Sequence, residues 1–348
     1  MPERGPLRCA VIEVTNRCNL RCPHCASTSG RARGEELTLE EIRDLLRTIA
    51  GLGGEEITVI GGEAFLRDDW YEICRAVGEF GMKLILISNG VLIRGEAMYD
   101  RLRRLRPMLI GISIDGATRD TYRALRGVDA FDHCLGVCRR LLDDGHPNVN
   151  AITTVWKANL REFDAFAELL AGSGVTWQIQ VANKGGGRFG REQFISRREY
   201  AWLARKMRDV FAGDRESLRL RHMDDFGYFP LDPALRFLHE TWNGCVAGVE
   251  LIGVRSNGDV LGCLSLGDDF VEANLRREPL AEIWTSDRYF GRFRRKEELL
   301  TGRCAACGFA ARCRAGCTAI ACSATGDIGC NPYCIRSLET DEVLRGLP

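Results

Sequence analysis

A parallel α/β sheet is the fold class this sequence predicts, on three observations. Over residues 8–182, short β-rich runs alternate with helical stretches whose apolar residues recur at helical spacing, the pattern of βα units. Six such units can be counted, fewer than the eight of a closed barrel. From Cys245 onward the pattern stops, and the chain becomes glycine-punctuated and cysteine-rich.

The expected strands are residues 9–14, 56–60, 83–88, 109–114, 148–155 and 176–181. They are near-continuous apolar or alternating runs, as strands covered by helices require. Amphipathic stretches at 39–49, 69–80, 131–142 and 160–170 supply helices between them. The basic run Arg101-Leu102-Arg103-Arg104-Leu105-Arg106 ends a helical pattern before Pro107, where positive charge suits a solvated helix C-terminus. Residues 183–243 break the rhythm with the flexible loop Lys184-Gly185-Gly186-Gly187-Arg188, a helical stretch at 197–211 and an aromatic-rich section. The domain reading is therefore a first domain at 8–182, a bridge at 183–243 and a cysteine-rich domain at 244–340. The last has too few apolar runs to build a large core, so metal crosslinks would have to hold it.

Composition narrows the function. Lys+Arg and Asp+Glu both number 48 in 348 residues, so no net field attracts nucleic acid or anionic lipid. No apolar run reaches bilayer length, and Met1-Pro2-Glu3-Arg4-Gly5 is not a secretory signal. Sixteen cysteines clustered at ligand-like spacings point to metal in a reducing compartment, so the protein reads as cytoplasmic.

The most informative motif is Cys18-x3-Cys22-x2-Cys25, just after the first expected strand. Three thiolates on one loop are too few for a closed zinc site, whose motifs come as paired C-x2-C units. They suit a [4Fe-4S] cube with one iron left open. The loop lies at a strand's C-terminal end, where barrels of parallel strands carry their chemistry. Gly61-Gly62-Glu63 ends the second strand, Ser88-Asn89-Gly90 the third and Ser113-Ile114-Asp115-Gly116 the fourth. Taken singly, each also reads as ordinary βα-loop punctuation.

In spacing and setting these motifs resemble the radical S-adenosylmethionine (SAM) superfamily. The resemblance implies a partial (β/α)6 barrel, open on one side, whose cluster iron chelates SAM. Gly61, Gly62 and Glu63 match the motif for the SAM amino group, with Ala64 where a proline often follows. Asn89 and Ser113 would serve ribose hydroxyls or the SAM carboxylate, which Arg126 or Arg123 could reach from the following turn. His24 takes a position usually aromatic and would pack near adenine; it also reads as a plain loop histidine. Cys74, Cys134, Cys138 and Cys9 read as buried apolar residues.

Cys245 is followed by Gly258 and Cys263, then by Cys304, Cys307, Cys313 and Cys317 at C-x2-C-x5-C-x3-C, and by Cys334. The order resembles the SPASM extension of radical SAM enzymes, which holds two auxiliary [4Fe-4S] clusters. The resemblance puts Cys245, Cys263 and Cys317 on the first and Cys304, Cys307, Cys313 and Cys334 on the second. The first is one ligand short; Cys322, Cys330 or an open iron are the alternatives.

Together the two resemblances imply a SAM-cleaving enzyme with three [4Fe-4S] clusters, whose 5′-deoxyadenosyl radical takes hydrogen from a substrate. They favour maturation of a ribosomally made peptide. The alternatives are a dehydrogenase of a small-molecule alcohol and a non-enzymatic iron–sulfur carrier; the strand-end motifs argue against the carrier. Leu264-Ser265-Leu266 after Cys263 lacks the aspartate usual in sulfatase activators. The implied partners are a flavodoxin- or ferredoxin-type electron donor and, because the first strand starts by residue 8, a separate leader-peptide-binding protein. The acid or base stays open: His222, Asp224, Asp225, Tyr228, Asp268 and Asp269 are candidates by polarity and position only.

Overall fold

The computed structural model describes residues 5–183, 187–213, 217–223, 226, 228–238 and 242–346. Six parallel strands lie side by side in chain order: β1 (Cys9–Glu13), β2 (Glu56–Ile60), β3 (Lys83–Ser88), β4 (Leu109–Ser113), β5 (Val149–Val155) and β6 (Thr176–Val181). These are the expected strands, to within one residue at either end. Two more parallel strands flank them. β7 (Arg219–His222) pairs with β6, and β8 (Leu251–Val254) pairs with β1. Beyond β8, the antiparallel β9 (Asp259–Leu261) and β10 (Val271–Asn274) extend the sheet. The sheet stays open because β7 and β10 are both edges. β7 escapes the sequence pattern because Arg219-Leu220-Arg221-His222 carries one apolar residue, and β8 is a short run inside the cysteine-rich part.

Successive strands are joined by α1 (Leu39–Gly51), α2 (Trp70–Glu79), α3 (Glu96–Leu105), α4 (Arg119–Arg126), α5 (Phe131–Asp143) and α6 (Phe163–Leu170). α1 begins with a capping box: the Glu41 N–H donates to Thr38 Oγ1 at 3.2 Å and the Thr38 N–H donates to Glu41 Oε2 at 2.7 Å. Its Ile42, Leu45, Leu46 and Ile49 face the core. α4 is a correction to the expected turn. Thr118 caps its start, Gly127 ends it at φ +76°, and only Tyr122, Leu125 and Arg126 are buried, too few apolar positions to announce a helix.

The core is one layer of strand and helix side chains, with Trp177 fully buried and stacked on Phe166 at 5.6 Å. Burying one such aliphatic or aromatic side chain contributes roughly 1.5–3 kcal/mol. Cys74, Cys134 and Cys138 lie in this core on α2 and α5, whereas Cys9 is half-buried. After β6 come α7 (Arg197–Ala212), then α8 (Leu280–Thr285) and α9 (Gly291–Arg294), and the short α10 (Gly302–Ala305) and α11 (Ala310–Cys313). α12 (Thr318–Thr325) and α13 (Ile335–Gly346) complete the described elements. Among the described residues no helix is long and apolar enough to cross a membrane.

Candidate active site between two cysteine groups

The C-terminal ends of the parallel strands carry the motifs, and backbone contacts lock the cysteine loop onto its neighbour. The Val14 N–H donates to Ile60 O at 2.9 Å, the Gly62 N–H to Thr15 O at 2.7 Å and the Glu63 N–H to Arg17 O at 2.8 Å. A Cβ on Gly62 would stand 2.4 Å from Arg17 O, so this approach of two backbones admits only glycine.

Cys18, Cys22 and Cys25 line a cavity of about 480 Å³. His24, Gly61, Gly62, Asn89, Ser113 and Arg126 share its wall. The Leu20 N–H points at Cys18 Sγ (3.4 Å) and the Ser29 N–H at Cys25 Sγ (3.5 Å), contacts that favour a charged sulfur. Burial pushes the Cys18 thiol up to about 11 and raises Cys22 as well. Such thiols stay protonated at neutral pH unless a metal displaces the protons. Three cysteines of one loop on one cavity therefore suit an iron–sulfur cluster with one open iron.

Asp115 holds two of the residues that line the cavity, His24 and Arg126. It is 1% exposed; its Oδ2 accepts from His24 Nε2 and from Arg126 Nη1, both at 2.9 Å, and its Oδ1 accepts from the Thr154 N–H at 2.8 Å. Burial alone would raise its pKa, but His24 and Arg126 hold it at about 2. His24 also lies 5.6 Å from the Trp156 ring. Its Nδ1 and Arg126 Nε are buried without a partner. Both residues line the cavity, so these polar atoms are set to meet a bound polar ligand such as SAM.

Glu63 sits differently from the expected contact with the SAM ammonium. It is 1% exposed and absent from the cavity wall, and its carboxylate accepts from Ser88 Oγ (3.0 and 3.1 Å) and from the Asn89 N–H (2.8 Å). Burial raises its pKa against those bonds. The side chain ties the second strand end to the third, while the Gly61 and Gly62 backbone meets the cavity. Asn89 Nδ2 in turn donates to Asn19 Oδ1 at 2.8 Å, holding the cysteine loop.

Cys245, Cys263 and Cys317 line the same cavity. The Cys317 N–H donates to Tyr228 Oη at 2.8 Å, which gives that candidate a buttressing place. Cys304, Cys307, Cys313 and Cys334 gather elsewhere. Burial pushes Cys304 and Cys313 up to about 11 and Cys334 to about 12, and mutual proximity of these thiols adds to it. Cys330 belongs with them, close enough to Cys304 to raise its thiol further. Cys322, on α12, is half-buried; burial raises its thiol, and the negative charges of Asp269 and Asp327 add to it. Cys330 thus groups with the second set, and neither Cys322 nor Cys330 is on the wall of the cavity that Cys245, Cys263 and Cys317 line. Cys322→Ala and Cys330→Ala are each expected to leave the first auxiliary cluster intact, read by iron content and Mössbauer spectra of separate variants. Its loss in either variant would close that site with a protein ligand.

Several functional positions escaped the sequence. Lys296, 1% exposed, donates to Gly316 O (3.1 Å) and Thr318 Oγ1 (2.9 Å). Burial lowers its pKa, while Cys245, Cys317 and Cys313 oppose that, so its charge lies between the two auxiliary groups. Within Arg295-Lys296-Glu297-Glu298 it reads as surface. Asp115 belongs to the fourth strand-end motif, but its partners lie 91 and 11 residues away. His222 faces the Met223 and Phe237 carbonyls, Asp268 pairs with Arg255, and the Asp269 carbonyl accepts from Arg292; none lines the cavity. Asp224 and Asp225 lie outside the described residues.

Known proteins place this geometry. The radical SAM superfamily model matches residues 12–170, and the SPASM model, an iron–sulfur cluster-binding domain, matches 245–308. The AdoMet-dependent heme synthase of Methanosarcina barkeri is 30% identical over 343 residues, covering 94% of this chain and 96% of that protein. The mycofactocin maturase MftC of Mycolicibacterium smegmatis is 28% identical, covering 89% and 78%. In structure, Streptococcus suis SuiB bound to S-adenosylmethionine superposes with a TM-score of 0.74 at 20% identity, over 95% of this chain and 76% of that one. A partial TIM-like barrel with its cysteines at the strand ends, and a full-length relative at this identity, lead to one conclusion: the chain belongs to the radical SAM superfamily, as a SPASM-type enzyme that binds SAM, a [4Fe-4S] cluster and auxiliary iron–sulfur clusters.

Proposed function

We propose that this enzyme matures a ribosomally made peptide by taking hydrogen from one of its C–H bonds. One observation carries the reading: a single cavity is lined both by Cys18, Cys22 and Cys25 and by Cys245, Cys263 and Cys317. A substrate between them faces the hydrogen-abstracting centre and the first auxiliary group together. When bound, SAM and its reduced cluster supply the 5′-deoxyadenosyl radical. The chain's own residues do the rest. Val181, Ala182, Val246, Leu251 and Ile320 give apolar walls that exclude water, and Thr154 and Gln180 offer hydrogen bonds that suit a peptide backbone. Cys245, Cys263 and Cys317 would hold the first auxiliary cluster, and with no fourth protein ligand it would offer an iron to a substrate thiolate or amide. The electron enters from a flavodoxin- or ferredoxin-type donor.

The likeness to mycofactocin maturase and the fold shared with SuiB, solved with its precursor peptide SuiA, support a peptide. A second reading, a tetrapyrrole substrate, is favoured by the full-length likeness to the heme synthase. The test incubates anaerobically reconstituted enzyme, SAM and dithionite with short peptides encoded beside its gene, or with an iron porphyrin bearing carboxylate side chains. Expected is 5′-deoxyadenosine formed in step with a mass change in a peptide. A mass change confined to the porphyrin would replace the peptide reading with the second one.

A further inference from the structure

The cysteine loop has an outer face that the reaction cavity does not use. A basin of about 710 Å³ opens there, between the loop and the β8–β10 strands, and five arginines line it: Arg21, Arg31, Arg33, Arg188 and Arg255. Two are already paired. Arg33 forks onto Glu13 at 2.7 and 3.1 Å, and Arg255 pairs with Asp268 at 2.7 Å. Asp259, also on the wall, is held by Asn257 and Asn274 at 2.8 and 2.9 Å. Among the described residues, Arg21 and Arg31 have no ion-pair partner. Arg188 donates from Nη2 to the Ser29 carbonyl, while its Nε is buried and unpaired.

Two further wall residues point to a ligand. Asn16 is 8% exposed and Ser29 4%, and Asn16 Oδ1 and Ser29 Oγ are buried with no hydrogen-bond partner. Buried polar atoms are almost always paired, so orphaned ones around a cavity mark missing partners. A third cavity, of about 190 Å³, lies next to both the basin and the reaction cavity. It shares Thr28, Arg33, Arg255 and Asp268 with the basin, and Ala26 with the reaction cavity.

We propose that this basin binds a carboxylate-bearing arm of the substrate while the reacting carbon lies in the inner cavity. Free guanidinium forks pair bidentately with carboxylates. The unpaired Asn16 oxygen needs a donor, which a peptide N–H supplies. An acidic peptide segment satisfies both, so the inference deepens the reading above and rests on it for the choice of peptide; carboxylates on a porphyrin rim share the arginine chemistry.

The test uses reconstituted holoenzyme with SAM, a labelled glutamate-rich peptide, its all-glutamine counterpart, and an iron porphyrin with propionate side chains. Binding is followed by anisotropy or absorbance in wild type and in Arg31→Gln/Arg188→Gln. The wild type is expected to prefer the glutamate peptide about tenfold or more, as a charge-assisted contact implies, and the double variant to lose that preference. Iron content and SAM affinity report whether the loop has kept its shape; if it has not, Arg31→Gln alone, on an exposed side chain, gives the reading. Should only the porphyrin's affinity depend on Arg31 and Arg188, the basin stands and the peptide reading falls. Equal affinity for both peptides, with porphyrin binding unmoved by the substitutions, overturns the basin.

Discussion

Alanine at Cys18, Cys22 and Cys25 together is expected to remove about four of the roughly twelve irons that three [4Fe-4S] clusters carry, and to reduce 5′-deoxyadenosine formation to background. The three thiols share one cavity wall with the Gly61-Gly62 backbone, and burial raises Cys18 and Cys22, so metal is what makes them thiolates there. The auxiliary cysteines lie on other segments, and their iron should survive. Iron and sulfide assays, with chromatography of a dithionite-driven SAM reaction, decide it. A triple variant that still forms 5′-deoxyadenosine would place SAM cleavage elsewhere in the chain.

The second large effect is on the fold around the same cavity. Asp115→Ala is expected to destabilise the protein by about 3–5 kcal/mol, because it leaves the Arg126 guanidinium buried without its counter-charge. SAM affinity should fall with it, since His24 and Arg126 line the cavity and are held by this carboxylate. The pH dependence has a definite sign. The folded pKa of about 2 lies below the ordinary 3.8, so the contribution is complete above about pH 4 and is lost as pH falls through about 2. The shift corresponds to roughly 2 kcal/mol. Denaturant unfolding of both proteins at neutral and acid pH measures it. A variant within about 1 kcal/mol of wild type, with unaltered SAM affinity, would reduce Asp115 to a replaceable packing residue.

The six central strands and the cysteine loop were legible because their signals are local. Apolar period marks β1–β6, and the C-x3-C-x2-C spacing lies within eight residues of one loop. Gly62 was legible as a motif, though only the fold shows that Arg17 O stands where its Cβ would be. β7 and β8 were missed because their residues owe their strand conformation to pairing with β6 and β1, not to their own pattern. Charged residues failed for the same reason. Glu63, Asp115, Arg126 and Lys296 look exposable in sequence; whether such groups face a ligand or are buried in pairs depends on partners supplied by distant segments.

Periodicity and ligand spacing are short-range constraints; periodicity was enough to predict the parallel α/β class, and the resemblance of the cysteine spacings to the radical SAM and SPASM motifs implied the clusters and their chemistry. Tertiary packing had to supply the rest: two cysteine groups line one cavity, Cys330 sits beside Cys304, and arginines from separate loops share an outer basin. Those are long-range contacts, and the packing of the whole chain, rather than any local pattern, selects them.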